Sequence, residues 1–219
     1  MPTSAIIIFS LVGYLLGSIS FAVIYGRAKG IDVLKVGSGN PGSTNVKRVL
    51  GPTAGNVVFI LDFLKGTLSA GLPLALCDHL FGVSPSETYA IAIIGGVAAI
   101  FGHSFSIFLR FRGGKGVAVT MGALLVLMPG SLITGLLIWY LTYRLTGYVS
   151  LASIFFALSL PFSAASLPFA VPPAGQTFAI LIAILITFRH RSNIIRLIEG
   201  TEHRFKRDGS SEKNSENVQ

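Results

Sequence analysis

Charge is what this sequence has least of. Lys, Arg, Asp and Glu together make up 12% of its 219 residues, against roughly 25% in soluble domains. Apolar residues make up 52%, so about half the expected solvating surface is missing and a soluble globular protein is excluded. Cysteine is nearly absent as well. The single Cys77 excludes an intramolecular disulfide framework and any CxxC metal site. Internal repeats are missing, since the Gly-rich loops differ and the apolar stretches show no matching halves. What is plentiful is glycine, with 25 residues, beside 10 prolines. That suits close helix packing and short re-entrant loops in a membrane better than it suits disorder.

The apolar stretches predict seven transmembrane helices, over residues 6–25, 53–76, 90–109, 117–128, 132–143, 149–166 and 177–188. Pro129-Gly130 breaks the chain after the fourth. Arg27, Lys29, Lys35, Lys47 and Arg48 follow the first span, Arg110, Arg112 and Lys115 the third, and Arg144 the fifth. The remaining basic residues lie from Arg189 onward, and only Lys65 falls inside a span. The alternate loops, 78–87, 129–130 and 166–175, hold no Lys or Arg. The positive-inside rule then places the N-terminus outside and the C-terminus in the cytoplasm, which requires an odd number of spans. The net charge of +8 is therefore a cytoplasmic face and not a nucleic-acid stripe. The expected fold is an all-α integral membrane protein with Gly-rich cytoplasmic loops. Residues 1–203 form its membrane domain and 204–219 a polar, disordered tail. The first apolar segment lacks a basic n-region, so it reads as a retained helix and not a signal peptide.

Three cytoplasmic segments carry the chemistry. The first, residues 37–48, holds Gly37, Gly39, Gly42, Ser38, Ser43, Thr44, Asn40, Asn45, Lys47 and Arg48. Glycines let backbone N–H groups turn inward as an anion nest, and hydroxyls, amides and a guanidinium add donors. Its G-x-G-x-x-G spacing lacks the strand and βαβ context of a dinucleotide fold, which excludes that reading. The second, residues 110–116, sets Gly113, Gly114 and Gly116 around Lys115 at a helix N-terminus, where free N–H groups and the dipole favour anions. Leu109 and Gly116 exclude a Walker A motif. The third, residues 189–193, brings Arg189, His190, Arg191 and Asn193 to the same face. Three donor-rich segments at one membrane surface imply a phosphorylated ligand. Asp62 and Lys65 share a helix face deep in the second span, either as a mutual salt bridge or with Lys65 as a further phosphate ligand. His103 reads as hydrogen-bonded between helices, and no metal site is expected. His203 and Asp208 have the spacing of an acyltransferase dyad, but their place in a polar tail argues against catalysis. From these residues alone, an enzyme and an organic-phosphate transporter remain open; a transporter should show paired repeats and a midplane site.

Taken together, Gly17-Ser18-Ile19, residues 37–48, Asp62 with Lys65-Gly66, Gly102-His103, residues 111–116, 150–153 and His190-Arg191 with Asn193 resemble the PlsY family. These are acyl-phosphate:glycerol-3-phosphate acyltransferases of bacterial membranes. The resemblance implies an enzyme of the bacterial inner membrane, without cofactor, whose active site faces the cytoplasm. Its substrates would be acyl phosphate and glycerol 3-phosphate, its products lysophosphatidic acid and inorganic phosphate. It implies catalytic roles for Ser38, Arg48, Lys115, His190 and Asn193. Substrate contacts would come from Gly39, Asn40, Gly42, Thr44, Asn45, Gly113, Gly114, Gly116 and Ser150. The polar loops offer no evident carboxylate base except Asp32; the resemblance implies that a substrate phosphate oxygen takes the hydroxyl proton, with His190 as the alternative base. Membrane lipid is the expected surrounding and no nucleic acid is expected; the oligomeric state is not readable. The chain departs from the family in having Ser20 and Ser106 where Pro is usual, Ser43 where Ala is frequent, and Leu34 near a usual Arg.

Overall fold

A broken first helix sets the architecture. α1 (Thr3–Ser18) stops at Ile19 and α2 (Phe21–Ala28) starts afresh, where the sequence predicts one span over 6–25. Ser20 accepts from the Val23 N–H and caps α2, so this serine supplies the restart. The break frees carbonyls in apolar surroundings, where each must find a donor. The Ile19 carbonyl accepts from Lys65 Nζ at 2.8 Å and the Ser18 carbonyl from the Ser106 hydroxyl at 2.6 Å.

The computed structural model describes residues 1–166 and 171–205, and every regular element within them is helical. After α2 come α3 (Ser43–Leu50), α4 (Pro52–Phe81) and α5 (Pro85–Ser104), then a 3-10 turn at Ile107–Leu109. α6 (Val117–Leu127), α7 (Pro129–Thr146), α8 (Val149–Ser166), α9 (Pro173–Arg189) and α10 (Arg191–Ile198) complete the helices of the described residues. Arg204 and Phe205, which the sequence assigns to the tail, pack on the body, and 206–219 lie outside the described residues.

Glycine sets the closest helix contacts. A Cβ at Gly13 would strike the Gly95 carbonyl, and one at Gly17 the backbone of Ala99, so α1 lies directly on α5. Gly66 meets the Val119 carbonyl and Gly122 the Phe63 carbonyl, which joins α4 to α6 in the same way. Lipid gives helices no hydrophobic drive to associate, so small residues that admit backbone contact are what hold them. Phe156, Leu160, Phe178 and Ile182 pack α8 and α9 with α5 and α6 in the main core.

By length and composition, four stretches among the described residues can cross a membrane: Thr3–Ala28 taken through its break, Pro52–Phe81, Pro85–Ser104 and Val149–Ser166. The pair Pro173–Arg189 and Arg191–Ile198, bent by 57°, makes a fifth if it counts as one span. α6 has 11 residues, or about 16 Å at 1.5 Å per residue, roughly half the ~30 Å hydrocarbon thickness. Met128 alone joins it to α7, so Pro129 opens a helix at its first turn, a position that tolerates its missing N–H. The break predicted at Pro129-Gly130 thus falls at Met128, and these two residues form the first turn of α7.

Candidate active site

Residues 37–48 form a tight turn that feeds a helix. Gly37 and Gly39 take φ of +62° and +66°, the left-handed region that favours glycine. Asn45, in the first turn of α3, shapes this turn from inside. Its Oδ1 accepts from the Ser38 N–H at 2.8 Å, and its Nδ2 donates to the carbonyls of Val33 and Val36. Its amide is thereby spent on the fold, although the sequence marks it as a substrate contact. Gly42 caps α3 with no side-chain bond, which leaves first-turn N–H groups open. Arg48 lies one turn beyond Thr44 and so shares its face. The Arg48 Nε is buried and has no hydrogen-bond partner among the described residues.

The second segment is folded back by a short turn. The Ser106 N–H donates to the Arg112 carbonyl at 3.2 Å and closes residues 107–111, returning the chain onto the end of α5. The Gly114 N–H then donates to the His103 carbonyl at 2.9 Å. A Cβ at Gly113 would meet that carbonyl, and one at Gly114 would meet the His103 imidazole. Both glycines, predicted to bind ligand, are required for this close packing. Gly116, at φ +83°, caps α6, and the Lys115 ammonium beside it donates to Asn193 Oδ1.

At the α9–α10 bend, His190 Nδ1 lies 2.8 Å from the Ile186 carbonyl. Nδ1 therefore carries the proton of the neutral ring, and the Nε2 lone pair is available. Asn193 Nδ2 donates to Glu202 at 2.8 Å, and Arg196 Nε donates to the same carboxylate at 2.7 Å. Lys115, Asn193, Glu202 and Arg196 thus form one chain of charge-assisted bonds. Arg189 faces elsewhere, with its guanidinium on the Gly113 and Gly114 carbonyls.

These pieces meet in a cavity of about 570 Å³. Ser38, Asn40, Gly42, Thr44, Asn45 and Arg48 line one side; Lys115, Gly116, Ser150, His190 and Asn193 line the other. Of the expected site residues, Gly39, Gly113 and Gly114 do not line it. Phe59, Val117, Met121 and Trp139 supply an apolar wall. Burial holds the Lys115 ammonium down to about 8, with Glu202 pulling it up and Arg196, Arg48 and Arg189 pushing it further down. Two cations and two helix N-termini around one cavity are built to hold phosphate.

Known proteins are similar to this chain in sequence and fold. The family model described as glycerol-3-phosphate acyltransferase matches residues 7–200. The glycerol-3-phosphate acyltransferase of Aquifex aeolicus is 41% identical over 193 residues, covering 88% of this chain and 95% of its own. That of Enterococcus faecalis is 43% identical over 207 residues, 91% of each. The crystal structure of PlsY, an integral membrane glycerol 3-phosphate acyltransferase, in its glycerol 3-phosphate form superposes with a TM-score of 0.82 at 39% identity, covering 93% of this chain and 96% of that one. The chain belongs to the PlsY family. The lysophosphatidic acid form of the same protein superposes with a TM-score of 0.80 at 38% identity.

Within this PlsY fold, several cavity residues escape sequence reasoning. Thr201, Glu202, His203 and Phe205 line it because the chain after α10 turns back across its mouth. The Phe205 N–H donates to the Gly147 carbonyl, and its ring lies under Arg48 at 5.9 Å. Burial alone would raise the Glu202 carboxyl, but the donors of Asn193 and Arg196 outweigh it and hold it below the usual carboxylate range. A lone acid in a polar stretch carries no such signal. Asp62 and His103 also line the cavity floor, 3.7 Å apart. Asp32, the one loop acid considered as a base, lies outside and pairs loosely with Lys35 at 3.7 Å. His203 reaches the cavity, and its sequence partner Asp208 lies outside the described residues.

Proposed function

We propose that this chain transfers a fatty acyl group from acyl phosphate to the 1-hydroxyl of sn-glycerol 3-phosphate, releasing lysophosphatidic acid and inorganic phosphate. The observation that carries the reading is the convergence of Arg48 and Lys115, from segments 67 residues apart in number, on one cavity with an apolar wall. Relatives of the same fold are glycerol-3-phosphate acyltransferases, and one has been solved in a glycerol 3-phosphate form and a lysophosphatidic acid form.

The chemistry asks little of the protein beyond charge and position. The 1-hydroxyl oxygen attacks the acyl carbon, the carbon–oxygen bond to phosphate breaks, and phosphate leaves with the electron pair. Arg48 and Lys115 neutralise the two phosphates, with Ser38, Ser150 and Asn193 as neutral orienting groups. The first-turn N–H groups of α3 and α6, with Gly42, Thr44 and Gly116, complete the cradle. The hydroxyl proton passes to a phosphate oxygen, with His190 Nε2 as the alternative acceptor. Phe59, Met121 and Trp139 offer the acyl chain its apolar wall. No cofactor enters the scheme. In this reading the protein crosses a bacterial inner membrane seven times, N-terminus outside. Residues 1–203 carry the activity on the cytoplasmic side, with Phe205 closing one side of the cavity.

Purified protein given palmitoyl phosphate and glycerol 3-phosphate should release phosphate and lysophosphatidic acid in equal amounts, and palmitoyl-CoA should not substitute as donor. A folded sample that binds glycerol 3-phosphate yet forms neither product overturns the reading and points to transport, read by flux into vesicles. The pH profile gives a second test. Lys115 must be protonated to hold phosphate, and its ammonium titrates at about 8, so kcat/KM for glycerol 3-phosphate should fall as pH rises through about 8. Lys115→Arg, if active, should move that fall to higher pH; an unmoved profile would assign it to another group.

A further inference from the structure

Arg189 is a cation that the cavity does not use. Its Nη2 donates to the carbonyls of Gly113 and Gly114, both at 2.9 Å, and its Nε donates to Gly114 at 3.2 Å. Its guanidinium also lies 5.0 Å from the Phe105 ring, which fixes the plane of the fork. A trans peptide is planar, with its N–H opposed to its carbonyl. Two successive carbonyls directed at Arg189 therefore turn the next two N–H groups, of Gly114 and Lys115, the other way. The first is bound by the His103 carbonyl. The second belongs to Lys115, which lines the cavity.

We propose that Arg189 is a positioning residue that clamps the Gly113-Gly114 peptides against His103, so that the Lys115 N–H and ammonium face the phosphate site before substrate arrives. The proposal rests on the phosphate-site reading above. His103 forms the other jaw. Its ring closes off the space a Gly114 side chain would need, and Asp62 lies 3.7 Å from its Nδ1. The clamp needs a planar fork that spans two carbonyls, and an ammonium cannot reproduce it. That separates a clamp from a simple positive charge beside phosphate, since Arg189→Lys keeps the charge and loses the fork.

The test measures kcat and KM for glycerol 3-phosphate on full-length wild type, Arg189→Lys and Arg189→Ala, with thermal unfolding of each. Wild-type turnover first establishes the acyltransferase, so its absence defeats that reading and not this one. With active wild type, both variants should raise KM tenfold or more with a smaller change in kcat, while unfolding within a few degrees of wild type. Added guanidinium ion should restore Arg189→Ala toward the wild-type KM and leave Arg189→Lys unchanged. Wild-type kinetics in Arg189→Lys, or no recovery of folded Arg189→Ala in guanidinium, overturns the proposal. Should Arg189→Ala fail to fold, Gly114→Ala, which opens the clamp from the His103 side, must show the same rise in KM; an unchanged KM there overturns it equally.

Discussion

Lys115→Ala is expected to reduce kcat/KM for glycerol 3-phosphate by roughly two to three and a half orders of magnitude. Removing one partner of a buried, hydrogen-bonded charge pair costs about 3–5 kcal/mol, and about 1.4 kcal/mol is tenfold. Two losses combine here. A phosphate loses its cation in a site where burial is strong enough to bring the ammonium down to about 8, so little solvent remains to take its place. Asn193 Oδ1 also loses its donor, which frees the amide that holds Glu202. The carboxylate then faces the incoming phosphate with one fewer cation between them. Lys115→Arg keeps the charge and should keep far more of the activity. Initial rates with palmitoyl phosphate and varied glycerol 3-phosphate check both. A Lys115→Ala enzyme within tenfold of wild type would remove Lys115 from the site.

The sequence made the three donor-rich segments legible, because glycine, hydroxyl, amide and basic residues rarely crowd together except where an anion binds. Arg48, Lys115, His190 and Asn193 all reach the cavity for that reason. Composition could not say which donors in those segments are already spent. Asn45 is bound on three sides by its own turn, and Gly113 and Gly114 are small because His103 lies against them. Both facts depend on tertiary approach. Glu202 was illegible for a related reason, since its value comes from a chain reversal that local pattern does not encode. The apolar runs located the helices well, and Pro129-Gly130 marked the α6–α7 break to within a residue, but the break at Ile19 escaped. Hydropathy passes smoothly through Ile19, where the helix stops because Lys65 and Ser106 stand ready to satisfy the freed carbonyls.

Asp62→Ala should have the largest effect on stability. Asp62 and Lys65 lie 2.9 Å apart, with side chains 2% and 4% exposed, and Lys65 also holds the Ile19 carbonyl at the α1–α2 break. Removing the carboxylate leaves an ammonium buried without its counter-ion, at a cost of about 3–5 kcal/mol. For a chain of this size, that corresponds to a fall in Tm on the order of 10 °C. The effect should spread beyond the pair, because Lys65 ties α4 to the break and Asp62 adjoins His103 beneath the Gly113-Gly114 turn. Replacing both partners, as Asp62→Leu with Lys65→Met, removes the uncompensated charge. It leaves only the Ile19 carbonyl without its donor, a loss of about 1–3 kcal/mol. The double variant should therefore melt above Asp62→Ala, although it carries one substitution more. Thermal unfolding in detergent of wild type, Asp62→Ala and the double variant decides the matter. A double variant that melts below Asp62→Ala would mean that Lys65 stabilises the fold through the helix break alone and that the ion pair contributes nothing of its own.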